Sequence, residues 1–111
     1  MYLVAGGWVS GGMTDTTETL VEGGSVWSTH QPLWTGIADT RILVYDNIPY
    51  MFGGNIGPAV AGYSMTSSAD ILSWDDATMK WLQTGQMKEA RDSHGVSAIV
   101  MSWDTLNTCQ P

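Results

Sequence analysis

Apolar residues occur along this chain in short runs divided by turn-forming residues, and none recurs at the 3.6-residue spacing of a helix face. That pattern predicts an essentially all-β protein. The runs place eight strands at residues 2–5, 18–21, 26–28, 42–45, 49–52, 70–74, 80–83 and 95–101. Asp46-Asn47 reads as a tight turn between Val44 and Ile48, and Asp75-Asp76-Ala77-Thr78 as another. Residues 8–17 and 55–69 are polar enough to be expected as long loops.

Two of the runs end alike. Leu3-Val4-Ala5 is closed by Gly6-Gly7 and Tyr50-Met51-Phe52 by Gly53-Gly54, and a tryptophan follows downstream of each, Trp27 and Trp81. The doublets, and likewise Arg41 and Arg91, lie about 50 residues apart, so one structural unit is expected roughly twice. Further pairs at Gly11-Gly12 and Gly23-Gly24 read simply as turns. A doublet ending a strand leaves a stretch of bare main chain, which suits close approach by another backbone.

The second unit runs Ile48-Pro49-Tyr50-Met51-Phe52-Gly53-Gly54, then Asp70-Ile71-Leu72-Ser73-Trp74-Asp75, Thr78-Met79-Lys80-Trp81 and Met87-Lys88-Glu89-Ala90-Arg91. In this order of strand, glycine doublet, aromatic-Asp step, Trp and Arg, the chain resembles a kelch-repeat protein. The first unit is the poorer match: Glu18 to Gly24 has no aromatic-Asp pair, and Trp27 comes two residues early. The resemblance covers residues 1–103 and leaves 104–111 as a tail.

The resemblance implies two four-stranded antiparallel blades of an incomplete β-propeller. Strands B to D of one blade (about 2–28) precede strands A to D of the next (about 41–83), and an A-type strand follows at about 94–101. That last strand either completes the first blade or opens a third. Gly6, Gly7, Gly53 and Gly54 become stacking positions, while Trp27, Trp74 and Trp81 become structural aromatics, with Trp27 and Trp81 packed near the doublets. Two blades do not close a ring, because propellers typically have four to eight. The chain is therefore expected to be a fragment of a longer propeller, or to associate with further copies.

Composition narrows the function classes. Hydrophobic residues make up 43% of the 111 residues and charged residues 14%, as in a single globular domain with a core. Six Trp and seven Met are available to fill the wedge between sheets. The formal charge of −7, with four Lys and Arg in all, offers no basic cluster for phosphates, so nucleic acid is not an expected partner. No apolar run reaches the roughly 20 residues of a membrane helix, and the start of the chain lacks the basic region of a signal peptide. A soluble chain is expected, in a compartment the sequence leaves open. Cys109 is the single cysteine, which excludes an internal disulfide.

In an antiparallel meander the B–C and D–A connections share one side, so the two long loops and the segments 29–40 and 84–93 are expected on one face. Loops displayed on a rigid scaffold commonly carry binding function. In kelch proteins that recognise acidic peptides, arginines placed like Arg41 and Arg91 point into the channel mouth. Here they are candidate ligand contacts by forked hydrogen bonding, unless they pair with Asp39 or Asp92. Trp8 and Asn55, the residues after the doublets, are candidates of the same class, with packing against their own loops as the alternative for Trp8. Tyr63 and Met65 are weaker ones.

Catalytic chemistry is not expected. Asp92-Ser93-His94 holds triad residue types, but neighbours on an extended segment point to opposite faces. No metal-ligand spacing surrounds His30, and no phosphate-cradling loop follows the doublets. The expected function is non-catalytic binding of a protein or peptide, without a cofactor. The alternative is a fragment of a kelch-fold, galactose-oxidase-like enzyme whose catalytic residues lie outside this chain.

Overall fold

A computed structural model describes residues 1–57 and 66–98, and within them the chain is all-β, with ten strands and no helix. In chain order these are β1 (Tyr2–Ala5), β2 (Trp8–Val9), β3 (Gly12–Met13), β4 (Thr17–Leu20), β5 (Ser28–Thr29), β6 (Gly36–Ala38), β7 (Arg41–Tyr45), β8 (Ile48–Gly57), β9 (Thr66–Asp75) and β10 (Lys80–Gln86). Every pairing between them is antiparallel.

Three strands form one sheet in the order β1-β4-β5, and β2 pairs with β3 as a separate hairpin. The larger sheet is an up-and-down meander, β7-β8-β9-β10, and β6 pairs with the far end of β8 beside β7. The turn between β7 and β8 is two residues long, with Asp46 at φ 50° and Asn47 at φ 62°. Positive φ at both positions matches the right-handed strand twist, and Asp and Asn tolerate it better than most residues.

Period-two burial explains the large sheet. On β9, Ser68, Leu72 and Trp74 are buried while their neighbours are not, so one face of the strand is committed to the interior. That face meets Met51 of β8 and, from the preceding crossover, Leu33 and Ile37. Ala5, Ile56 and Trp81 pack against this cluster, so the core lies between the larger sheet and β1.

Expected and observed strands differ at particular places. β8 does not stop at Phe52 but runs through the doublet to Gly57, with a register shift between Phe52 and Gly54. The glycines act as a bulge that bends a continuing strand. The expected loop at 8–17 contains the β2–β3 hairpin, and β6 was not anticipated. The strand expected at 26–28 is instead Ser28–Thr29, and residues 24–27 belong to no strand. Residues 95–98 are not in a strand, and the remainder of that expected element, with the tail, Cys109, Tyr63 and Met65, lies outside the described residues.

Trp27 requires a correction. It was expected to pack near the first doublet, yet it is 43% exposed. The reason is local: β5 pairs with β4 only through Ser28 and Thr29, so no ladder holds Trp27 over the sheet. Trp74, by contrast, is 5% exposed and meets Trp81 edge-to-face at 5.5 Å.

Candidate functional site

The glycine doublets fix where the chain crosses from one unit to the next. Gly6 and Gly7 have φ of 67° and 106°, and Gly53 and Gly54 have φ of 60° and 110°. These left-handed conformations tolerate a side chain poorly. Space is short as well: a Cβ on Gly6 would lie 2.5 Å from the Ile37 carbonyl oxygen, and one on Gly53 the same distance from that of Arg91.

The same hydrogen bonds recur at both crossings. Gly7 N donates to Ile37 O at 2.7 Å and Gly54 N to Arg91 O at 2.9 Å. Ile37 N donates to Thr14 O and Arg91 N to Ser68 O, at 3.2 and 3.1 Å. Leu33 N donates to Asp15 O and Met87 N to Ala69 O, both at 2.7 Å. Asp39 and Ser93, two residues beyond these anchors, both take positive φ, 55° and 50°. In these bonds Arg91 occupies the place of Ile37. Arg41 falls four residues further along, so the two arginines, similar in sequence spacing, do not occupy equivalent sites.

The residues after the doublets converge. Asn55 Nδ2 donates to Asp39 Oδ2 at 3.1 Å, and Trp8 Nε1 reaches the same oxygen at 3.5 Å. Ser93 N donates to the Asp39 carbonyl at 2.8 Å, so the second crossover closes on the first at this residue. Trp8 is 54% exposed, with its ring nitrogen tethered to Asp39. Beside this cluster Ser67 Oγ donates to Asp92 Oδ2 at 2.8 Å.

Neither arginine pairs with Asp39 or Asp92. Arg41 is exposed and donates from Nη1 to the Thr40 carbonyl at 3.0 Å. Arg91 is exposed too, and its Nη2 stands 4.0 Å from Glu89 Oε2, a contact of little energetic weight at the surface. Both guanidinium groups thus keep donors available to a ligand. The structure brings Trp8 and Asn55 together on Asp39, a residue that sequence reasoning had considered only as a partner for an arginine. Its one sequence signal was an acidic residue just ahead of a strand.

A second concavity lies at the other end of the large sheet. It is a cavity of about 580 Å³ between Met1, Val44, Ile48, Pro49 and Trp74, with Asp75 and Asp76 on its wall. Among the described residues no three His, Cys, Asp or Glu side chains gather closely enough to hold a metal ion. Compared with known proteins, the chain matches no protein-family model and no curated protein.

Proposed function

We propose that the chain is a pair of kelch-type propeller blades that binds a protein or peptide, without chemistry, through the face carrying the doublet loops and the crossovers. The recurrence of one hydrogen-bond set at Gly7/Ile37 and Gly54/Arg91, beside a four-stranded meander, supports a tandem blade arrangement. Two blades leave a ring unclosed, so this reading places them beside further blades, of the same polypeptide or of other copies.

One observation carries the binding assignment: Trp8 and Asn55, the residues after the doublets, both meet Asp39 on an exposed surface. A tethered, solvent-facing indole suits an anchor of the kind that dominates interfaces, because its conformational freedom is already reduced. The donors of Arg41 and Arg91 fit carboxylate-bearing side chains.

Panning a displayed peptide library against the whole chain tests this reading. Enriched peptides should carry Asp or Glu, and Trp8→Ala and Arg91→Ala should each weaken their binding about tenfold or more. Enrichment indifferent to both substitutions would remove the assignment.

A further inference from the structure

Asp39 sits where the two units meet, and no Lys or Arg of the chain pairs with it. It follows Ala38, the last residue of β6, which stands opposite Asn55 in the ladder with β8. The bond from Gly7 N to Ile37 O brings Trp8, the residue after the first doublet, to the same place. The Asp39 backbone is held too, at φ 55° with its carbonyl accepting from Ser93 N. Non-glycine residues fixed in the left-handed region cluster at binding sites.

The charge of this residue is left over. Both bonds to its carboxylate come from neutral donors and fall on Oδ2, while Oδ1 accepts none among the described residues. All four Lys and Arg of the chain are described, and each is placed elsewhere. Arg91 pairs with Glu89, Arg41 donates to the Thr40 carbonyl, Lys80 stands opposite Asp75 in the β9–β10 ladder, and Lys88 forms no ion pair with Asp39. The chain as a whole carries −7, so its field draws cations toward it. Beside the carboxylate lies an indole more than half exposed, and Trp offers the best aromatic face for a cation.

We infer that Trp8, Asp39 and Asn55 form a subsite for a Lys or Arg side chain of the partner. The cation meets Asp39 Oδ1 and the face of the Trp8 ring, while Asn55 holds Oδ2. This subsite rests on the loop face being the binding face, and it adds a residue of opposite sign to the acidic ones that suit Arg41 and Arg91. A ligand carrying both signs is then held in one direction, because exchanging its ends sets like charges against each other. A neutral ligand, a monosaccharide among them, leaves the Asp39 charge uncompensated.

The test is a two-dimensional NMR titration of the whole chain, read at the Trp8 Nε1–H resonance, with Gly-Lys-Gly blocked at both ends and with its Gln counterpart. The Lys peptide should shift the resonance saturably and bind about fivefold or more tightly than the Gln peptide. Asp39→Asn keeps an acceptor for Trp8 and Asn55 and tolerates positive φ, yet should erase that preference; Trp8→Leu, read at the Asn55 side-chain amide, should weaken Lys binding. Arg91→Ala should leave the Lys preference intact while weakening the acidic peptides selected by panning. Equal binding of the Lys and Gln peptides, or a preference that survives Asp39→Asn, overturns the inference. So does tighter binding of methyl α-D-glucoside, which would give the site to a carbohydrate. Acidic peptides that bind where the Lys preference is absent sink the subsite and spare the broader reading; a Lys preference beside panning that yields no peptide does the reverse.

Discussion

His30 stands edge-on to Trp74, with ring centroids 5.8 Å apart and planes inclined at 66°, while its Nε2 shares a 2.6 Å hydrogen bond with Thr19 Oγ1. Thr19 belongs to the small sheet and Trp74 to the large one, so a single imidazole joins the two. The hydroxyl fixes the ring, and the ring then lies against an indole that itself meets Trp81.

This chain of contacts makes Thr19 and His30 energetically coupled. His30→Ala and Thr19→Val should each destabilise the protein, and a double-mutant cycle by urea denaturation should return a coupling of about 1 kcal/mol. Strictly additive losses would mean that the bond does not hold the junction.

The tryptophans should separate sharply. Trp74→Ala empties a buried site and should cost about 3–5 kcal/mol, whereas Trp27→Ala, in a segment outside any strand, should stay within about 0.5 kcal/mol. Thermal or urea denaturation of both variants checks the contrast, and similar losses would contradict the burial described.

Gly53 and Gly7 share positive φ but not crowding. Gly7→Ala should cost about 1–2 kcal/mol from conformation alone, because nothing lies within 4 Å of its Cβ position. Gly53→Ala adds a collision with the Arg91 and Ser68 carbonyl oxygens at 2.5 and 2.9 Å, and should be the more damaging of the two by equilibrium denaturation.

At the β7–β8 turn, Asn47→Gly should stabilise the protein by up to about 1 kcal/mol, since glycine adopts φ near 62° without a Cβ penalty. A lowered urea midpoint would show that the Asn47 side chain has a role beyond the turn.

Asp39→Ala should release the Trp8 indole. In two-dimensional NMR its Nε1–H resonance should shift and exchange faster with solvent, while Thr78→Val, in the turn between β9 and β10 at the other end of the large sheet, should leave it in place. An unmoved resonance in Asp39→Ala would dismantle the cluster.

Much of this was legible in the residues. β1 and β7 follow from their short apolar runs, and the Asp46-Asn47 turn from the conformations those residues tolerate. The units' recurrence was visible through the doublets, because backbone crowding leaves a mark that only glycine satisfies. What escaped depends on distant partners. β6 is three residues whose strand character comes from Asn55 to Gly57, and β2–β3 is a hairpin with no alternation to announce it. Arg41 and Arg91 matched by spacing, but the hydrogen bonds align Arg91 with Ile37, since the loop between doublet and next strand differs in length. Trp27 misled because a tryptophan's burial depends on the ladder that carries it, and that ladder is two residues long.

That difference in length has its own use. Gly7 to Thr14 spans seven residues, while Gly54 to Ser68, closed by the same pair of clasping bonds, spans fourteen. The clasp is indifferent to what is threaded through it. Loop-closure entropy grows slowly with length, so graft and natural insertion alike should be tolerated there, making the stretch after each doublet the region free to diversify while the frame stays constant.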